Sequence, residues 1–242
     1  MSREGKIYGV GLGPGAPDLM SVRADRLLRG ASHIAYFRKA GRAGRARAIA
    51  EGIMPQTATE IAMEYPVTTE IALDDPAYNR ALSEFYAAQA ARLAALSAQG
   101  RDVVVLCEGD PFFYGSFMHL HARLAGAVPV EIVPGITGMS GAWTASGQPI
   151  TWGDDVLTVL TATLPEDELA RRLRGTDAAV VMKIGRNMAK LRRACETAGR
   201  ASDAFVVQYA QMPQQSVTRL SDAPESVPYF TILLIHGQGR RP

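Results

Sequence analysis

The chain of 242 residues is long enough for one large domain or two small ones. Its 47% apolar and 21% charged residues are typical of a globular protein and exclude a disordered chain. A formal net charge of +2 is too balanced for a general nucleic-acid binder, and two cysteines are too few for a disulfide framework or a cysteine-rich metal site. We therefore expect a protein of a reducing, cytoplasmic compartment, with no nucleic-acid partner.

The first half of the chain alternates short apolar runs with amphipathic ones. In chain order, the pattern predicts a strand at 6–12, a helix at 21–28, strands at 33–37 and 59–63, a long helix at 78–99 and a strand at 102–107. The last of these is uniformly apolar (DVVVLC), as expected for a central parallel strand that is buried on both faces.

The same alternation continues in the second half. It predicts helices at 139–145, 166–173 and 188–198 and strands at 156–161, 178–182, 205–208 and 229–236. Alternating strands and helices are typical of α/β layers. The break near Val133-Pro134-Gly135 predicts two α/β domains, residues 1–133 and 134–242.

Residues 132–153 carry no charge and are numerous enough to span a bilayer. Five glycines and two prolines interrupt this stretch, so no continuous lipid-facing helix can form. The chain also runs directly from its first residues into a strand pattern, without a signal-peptide segment. We therefore expect a soluble protein with no membrane partner.

The first candidate ligand loop follows the first strand. Gly11, Gly13 and Ala16 satisfy the dinucleotide pattern G-x-G-x-x-G/A, but Pro14 removes one of the backbone donors that a phosphate would need. The second strand ends in Arg38 and Lys39 rather than in the acid that binds a ribose, an arrangement that suits a 2′-phosphate. An NADP-dependent oxidoreductase and a tight turn without ligand therefore both remain open.

The second candidate loop, residues 107–116, follows the buried central strand. Gly109 permits close backbone approach, Asp110 places a carboxylate at the strand edge, and three aromatic residues follow. This chemistry suits a cationic or hydroxyl-bearing ligand better than a phosphate. The alternative is that Asp110 caps the next helix while the aromatic side chains fill the core.

Three further loops, at 133–140, 161–165 and 182–187, are also candidate ligand loops. In open parallel sheets, ligands bind outside the carboxyl ends of the strands, so five such loops together predict a ligand site. No third ligand accompanies His119 and His121, so no metal site is expected.

The segments GVGLGPGAPDLMSVRA, CEGDPFFYGSF, VPGIT and GDDVLTVLTATLP resemble, in order and over nearly the whole chain, the tetrapyrrole methylases. These are the class III S-adenosylmethionine-dependent methyltransferases of cobalamin and sirohaem synthesis. The loop CEGDPFFYGSFMHL and the segment DDVLTVLTATLP are most similar to the branch that methylates precorrin-2 at C20, whereas uroporphyrinogen-III methyltransferases carry a GGDPFVFGRG-like loop. Ala16, Gly138 and Gly141 depart from residues common in the family.

The resemblance implies two α/β domains that bind S-adenosylmethionine in the cleft between them, and a homodimer. The first domain would carry the substrate side and the second would close the donor site. Carried over by motif, the donor-binding residues are Pro14, Glu108, Gly109, Asp110, Phe113, Thr137, Gly138, Ala162, Met182 or Lys183, Ala210, Thr231 and Ile232. S-adenosylhomocysteine would be the product.

The implied reaction is attack of an electron-rich meso carbon on the sulfonium methyl group, which needs positioning more than a nucleophile. Asp110, Glu108 and Tyr114 are candidates for helping the proton leave the methylated carbon. The polyacidic substrate predicts a basic surface, for which Arg38, Lys39 and Arg42 are the candidates. A solvated loop is the alternative for these cations. Cobalt-containing and uroporphyrinogen-type substrates and a non-catalytic tetrapyrrole carrier also remain open.

Overall fold

The computed structural model describes residues 3–67 and 75–239. The chain divides into two compact units, Met1–Thr137 and Gly138–Pro242, so the boundary falls after Thr137 rather than after Val133. Each unit contains a five-stranded sheet accompanied by helices. The predicted α/β class is confirmed.

The sheet of the first unit is parallel throughout, with the strand order β3-β2-β4-β1-β5. Its strands are β1 (Ile7–Gly11), β2 (His33–Lys39), β3 (Thr59–Tyr65), β4 (Val103–Cys107) and β5 (Val130–Val133). The helices are α1 (Val22–Arg29), α2 (Arg45–Ile49), α3 (Pro76–Ala98) and α4 (Phe117–Leu124), with a 3₁₀ turn at Pro17–Leu19. The six predicted elements of this region are confirmed, whereas α2, α4 and β5 were not predicted.

The central position of β4 explains its uniformly apolar sequence. Val103 and Val105 pack in one apolar cluster with residues of α3 and α4, and Val104 and Leu106 pack in a second cluster with residues of α1 and α2. Side chains alternate across a strand, so both faces of β4 are covered and all five of its residues are buried. The loop that follows β4 therefore begins in the core.

The sequence also marks where the helices of the first unit begin. The Ser21 hydroxyl accepts a hydrogen bond of 3.1 Å from the Ala24 amide and caps α1. Asp75 caps α3 in the same way through the Ala77 amide, at 2.8 Å, and Pro76 occupies the first helical position. Both caps satisfy backbone donors that a helix leaves unpaired at its start.

The sheet of the second unit is mixed, with the order β6-β7-β10-β8-β9. Its strands are β6 (Leu157–Thr161), β7 (Ala178–Met182), β8 (Ala204–Gln208), β9 (Ser216–Arg219) and β10 (Thr231–Ile235). The helices are α5 (Gly138–Ser146), α6 (Glu166–Arg174) and α7 (Met188–Thr197), with 3₁₀ turns at Gly185–Asn187, Ala201–Asp203 and Leu220–Asp222. The seven predicted elements are confirmed, and β9 was not predicted.

The direction of β10 decides which residues share an edge of this second sheet. β6 and β7 are parallel, but β10 runs antiparallel to both β7 and β8, so its first residue, Thr231, lies opposite Gln208 at the end of β8. The beginning of β10 therefore lies at the same sheet edge as the carboxyl ends of β7 and β8.

The uncharged stretch at 132–153 divides between β5, a loop and α5, and in α5 it buries Gly141 and Ala142. Across residues 3–67 and 75–239, no helix combines the length and the apolar character needed to cross a membrane.

Candidate functional site

Two loops of the first unit pair through their backbones at the carboxyl edge of the sheet. The Leu12 amide donates to the Cys107 carbonyl at 2.9 Å, and Gly13 and Gly109 exchange hydrogen bonds of 2.8 and 3.3 Å. The loops follow the neighbouring strands β1 and β4, so their pairing extends the sheet by a short, antiparallel bridge. Pro14 is buried immediately after this bridge.

Asp110 joins a third loop to these two. Its Oδ2 accepts a hydrogen bond from the Gly135 amide at 3.0 Å, and its Oδ1 accepts one from the Phe112 amide at 2.8 Å. Gly135 follows β5, and Thr137 lies two residues beyond it. The structure therefore brings Pro14, Asp110 and Thr137 onto three neighbouring loops, as the ligand-site prediction requires.

The approach of the three loops is close enough to require glycine. A Cβ atom on Gly135 would lie 2.1 Å from the Gly109 carbonyl oxygen, and one on Gly11 would lie 2.6 Å from the Gly135 nitrogen. Side chains at these positions would push the loops apart. The glycines are thus needed where backbone meets backbone.

The alternative interpretation of the second loop is wrong for most of its residues. α4 begins at Phe117 with Ser116 at its N-cap position, so Asp110 does not cap that helix. Phe112 and Tyr114 are 47% and 42% exposed, so their rings do not fill the core. They are instead presented at the loop surface, and Phe113 beside them is half-buried.

The dinucleotide interpretation of the first loop fails on the position of the helix. A bound pyrophosphate needs a helix N-terminus directly after the glycines. Here a 3₁₀ turn follows the loop, and α1 begins only at Val22. Gly13 also uses its amide to pair with Gly109. The oxidoreductase alternative therefore loses its structural basis.

Glu108, the first residue of the second loop, is a half-buried carboxylic acid. Burial raises the pKa of Glu108, against the opposing effects of the Arg45 guanidinium and the Ala46 backbone amide. A carboxylate with a raised pKa is a better proton acceptor than an exposed one. Glu108 is thus suited to acid–base chemistry by its surroundings.

Backbone strain concentrates in the loops after β4, β7 and β8. In the described part of the chain, the non-glycine residues with positive φ are Tyr114 (54°), Lys183 (55°), Tyr209 (50°) and Gln211 (61°). Such conformations cost free energy and cluster at functional sites. Tyr209 and Gln211 were not among the predicted site residues, because no local pattern in the sequence marks a left-handed tyrosine or glutamine.

The predicted residues of the second unit share the sheet edge that β10 completes. The Ala162 amide donates to the Met182 carbonyl at 2.8 Å, and Met182, Ala210 and Ile232 pack against one apolar cluster. The Thr231 hydroxyl is buried and donates to the Pro228 carbonyl at 2.7 Å. These residues, far apart in sequence, therefore lie around one end of the sheet.

Two further predicted residues of the second unit have distinct environments. A Cβ atom on Gly138 would lie 3.7 Å from Cδ1 of Ile232, an ordinary contact distance. A Cβ atom would therefore fit at Gly138. Lys183 is charged and exposed, whereas Met182 is apolar and half-buried. The two alternatives for the donor contact therefore differ in both charge and exposure.

The basic cluster after β2 is partly neutralised by the protein's own acids. Arg38 donates through Nε to Glu64 at 2.8 Å, and Arg47 donates to Glu60 at 2.9 Å. Lys39 and Arg42 are exposed and lie at the two ends of a turn that the Arg42 amide closes on the Lys39 carbonyl. The exposed pair is thus better placed than Arg38 to meet an external anion.

The described histidines and cysteines make packing contacts. Residues 3–67 and 75–239 contain no group of three or more metal-ligating side chains. His119 stacks on Tyr86, and His121 packs edge-on against Phe112. Cys107 and Cys195 are buried, free thiols. Burial raises the pKa of both, that of Cys195 to about 12, so both remain protonated at neutral pH.

Comparisons with known proteins agree on one family. The model of the Tetrapyrrole (Corrin/Porphyrin) Methylases matches residues 6–223. The chain is 50% identical over 239 residues to a precorrin-2 C(20)-methyltransferase from Sinorhizobium sp, covering 98% of each chain. It is 29% identical to a cobalt-precorrin-2 C(20)-methyltransferase from Salmonella typhimurium, covering 97% of each.

A solved structure has the same fold. Uroporphyrin-III C-methyl transferase from Thermus thermophilus, complexed with S-adenyl homocysteine, superposes with a TM-score of 0.67 at 23% identity, covering 95% of this chain and 96% of that one. The family match spans both units described above. The chain therefore belongs to the tetrapyrrole methylases and is an S-adenosylmethionine-dependent methyltransferase.

Proposed function

We propose that the protein transfers the methyl group of S-adenosylmethionine to the C20 meso carbon of precorrin-2, giving precorrin-3A in cobalamin biosynthesis. The observation that carries this substrate is the 50% identity, over 98% of both chains, to a precorrin-2 C(20)-methyltransferase. The cobalt-precorrin-2 enzyme is 29% identical over a similar length, which favours the metal-free substrate.

The chemistry requires the chain to align two reactants. The meso carbon forms a bond to the methyl carbon while the S–CH₃ bond breaks, and its electron pair stays on sulfur to give S-adenosylhomocysteine. Alignment of this kind can be worth effective molarities of ~10⁵–10⁸ M. The rigid backbone contacts among the loops at Gly13, Gly109 and Gly135 suit that task.

Residues of each unit would bind the donor. In the first unit these are Pro14, Glu108, Gly109, Asp110, Phe113 and Thr137, and in the second Gly138, Ala162, Met182, Ala210, Thr231 and Ile232. Support comes from the convergence of each set at one sheet edge of its own unit. We favour Met182 over Lys183 for contact with the adenine, because Met182 packs with Ala210 and Ile232 against one apolar cluster.

The methylated carbon must also lose its proton, and Glu108 is the best-supported acceptor among Asp110, Glu108 and Tyr114. Both Asp110 oxygens already accept backbone hydrogen bonds, and a phenol is a weaker base near neutral pH. Glu108 has the raised pKa that general-base catalysis favours.

The substrate side would belong to the first unit, where Lys39 and Arg42 offer exposed positive charge for substrate carboxylates. Arg38 would contribute after exchanging Glu64 for a substrate group. Arginine is well suited to this because its guanidinium binds carboxylates in bidentate fashion.

We also propose that the protein acts as a homodimer, as the family resemblance implies, and that it works in the cytoplasm. Its two buried free thiols fit a reducing compartment. Sedimentation velocity tests the assembly, and a single-chain species at every concentration would contradict the dimer.

The substrate assignment is tested by incubating the enzyme with ¹³C-methyl-labelled donor and either precorrin-2 or its cobalt complex. NMR of the product should locate the new methyl group at C20, with metal-free precorrin-2 as the preferred acceptor. S-adenosylhomocysteine should bind and NADPH should not. Tetrapyrrole binding without methyl transfer would instead identify a carrier, and transfer to another carbon would identify a different methylase.

Gly135→Ala should weaken S-adenosylhomocysteine binding by at least about tenfold, or ~1.4 kcal/mol. The new Cβ atom would start 2.1 Å from the Gly109 oxygen, so the loop that carries Asp110 must move. Titration calorimetry measures the affinity. The matched control is Gly175→Ala, whose Cβ atom would lie 3.7 Å from its nearest neighbour. Wild-type affinity in a folded Gly135→Ala variant would contradict the role of the three loops.

Lys39→Ala and Arg42→Ala should each raise KM for the tetrapyrrole about threefold, the effect of ~0.7 kcal/mol expected for an exposed ion pair. Arg38→Ala should have a smaller effect, because Glu64 already holds that guanidinium. Donor affinity should stay constant in all three variants. Arg92→Ala, an exposed arginine on α3, is the control. An equal loss of donor affinity would show that these cations do not serve the substrate.

Arg45→Ala should shift the acidic limb of the pH profile of kcat to higher pH. The Arg45 guanidinium lowers the pKa of Glu108, so its removal raises that pKa and the base becomes protonated at a higher pH. Arg45→Lys keeps the charge and should restore the profile. Glu108→Gln should abolish this limb and lower kcat by roughly a hundredfold. A profile unchanged in both Arg45→Ala and Glu108→Gln would exclude Glu108 as the base.

A further inference from the structure

The loop between β4 and α4, residues 108–116, is anchored at two ends that lie on different parts of the first unit. Its front end is held by the Gly13–Gly109 bridge and by the Asp110 carboxylate, which accepts from the Gly135 amide. Its rear end is Ser116, whose hydroxyl is hydrogen-bonded to the Tyr65 hydroxyl. Tyr65 is the last residue of β3, 51 residues earlier in the chain.

The Ser116 side chain does not cap the helix at whose N-terminus it lies. It occupies the N-cap of α4, where a serine hydroxyl normally accepts a hydrogen bond from a backbone amide of the first turn. No such bond forms here, and the residue has helical backbone angles (φ −66°, ψ −23°). The hydroxyl is directed to Tyr65 instead. A local stabilisation of α4 is thus replaced by a long-range link.

The Tyr65 ring is a rigid anchor because aromatic rings enclose it. It stacks on Phe37 at 5.5 Å between centroids and packs against Phe85 at 5.3 Å. Tyr86, 5% exposed, packs against Phe85 at 5.2 Å and stacks on His119 of α4 at 4.6 Å. Strands β2 and β3 and helices α3 and α4 therefore fix the position of the phenol.

The Tyr86 hydroxyl lies beside this link. Burial raises the pKa of Tyr86, while Ser116 and Tyr65 act in the opposite direction through hydrogen bonding. The phenol therefore stays protonated and neutral, and three hydroxyl groups from β3, α3 and the end of the loop are grouped at one place.

Between its two anchors the loop carries its exposed aromatic residues. Phe112 and Tyr114 are 47% and 42% exposed, and Tyr114 has a left-handed backbone (φ 54°) that a tyrosine adopts at a cost. A strained, exposed conformation persists only where its surroundings hold it. The front anchor ends at Asp110 and Phe112, and the rear anchor at Ser116 directly follows Tyr114 and Gly115.

We infer that Tyr65 and Ser116 are positioning residues for methyl transfer, which hold Tyr114 and Gly115 in the conformation that meets the tetrapyrrole. The inference rests on the proposed function, because the loop acts on substrate only if the protein is a tetrapyrrole methyltransferase with that site. The link sets the tetrapyrrole side of the loop, whereas Gly109, Asp110 and Phe113 are held for the donor by backbone and carboxylate contacts at the front end.

The experiment compares Tyr65→Phe, Ser116→Ala and the double variant with Ser116→Thr, which keeps a hydroxyl. Tyr65→Phe removes one oxygen atom and leaves the ring packing in place. Tyr8→Phe is the matched control, since Tyr8 lies near the opposite end of its strand from the ligand loops. The assays are kcat and KM for precorrin-2, calorimetric affinity for S-adenosylhomocysteine, and the rate of chymotrypsin cleavage after Phe112, Phe113 and Tyr114.

We expect Tyr65→Phe and Ser116→Ala each to lower kcat/KM for precorrin-2 about tenfold, while donor affinity stays within twofold. The double variant should lose less than the sum of the two single losses, because both substitutions remove the Tyr65–Ser116 hydrogen bond. Chymotrypsin should cleave the loop several times faster in these variants, and Ser116→Thr and Tyr8→Phe should behave like wild type.

Unchanged kcat/KM and cleavage in both single variants would overturn the inference, as would additive losses in the double variant or a parallel loss of donor affinity. The cleavage assay needs no tetrapyrrole. If the wild-type enzyme does not methylate precorrin-2, the proposed function fails. If the enzyme methylates precorrin-2 and the variants match it, only the positioning role fails.

Discussion

The contact on which the first unit's site depends is backbone against backbone. Gly11 at the end of β1 meets Gly109 and Gly135 in the loops after β4 and β5, and a Cβ atom on Gly11 or Gly135 would collide with the neighbouring backbone. Asp110 links two of these loops, because its carboxylate accepts a hydrogen bond from the Gly135 amide. The contacting main-chain atoms lie at or directly after the ends of the strands. The packed sheet therefore limits how far the loops can move.

This rigidity fits the chemistry of the family. Methyl transfer from a sulfonium needs alignment of two reactants and little covalent participation by the protein. Strand pairing also positions the predicted residues of the second unit, where the antiparallel β10 brings Thr231 and Ile232 to the ends of β7 and β8. In each unit, residues from distant parts of the chain are collected at one sheet edge, and positive φ angles occur in the loops there.

Several acids and hydroxyls near the site have roles that their positions in the sequence do not suggest. The sequence suggests a helix cap or a catalytic acid at Asp110, yet its Oδ2 links its loop to Gly135 and its Oδ1 accepts from Phe112 within its own loop. Glu64 and Glu60 neutralise Arg38 and Arg47. Ser116 gives up capping α4 in favour of Tyr65. Local rules fail in these places because long-range partners compete with local ones.

The sequence by itself determined the α/β class, thirteen of the helices and strands and the family, because apolar periodicity and motif order are local properties of the chain. It missed β5 and β9, which are short and half-exposed, and α2 and α4, which follow glycine-rich loops. Only the tertiary structure decided the direction of β10, the partners of Asp110 and which cations remain exposed. Those features depend on pairings between residues tens of positions apart, and no local pattern encodes which distant residue will be the partner.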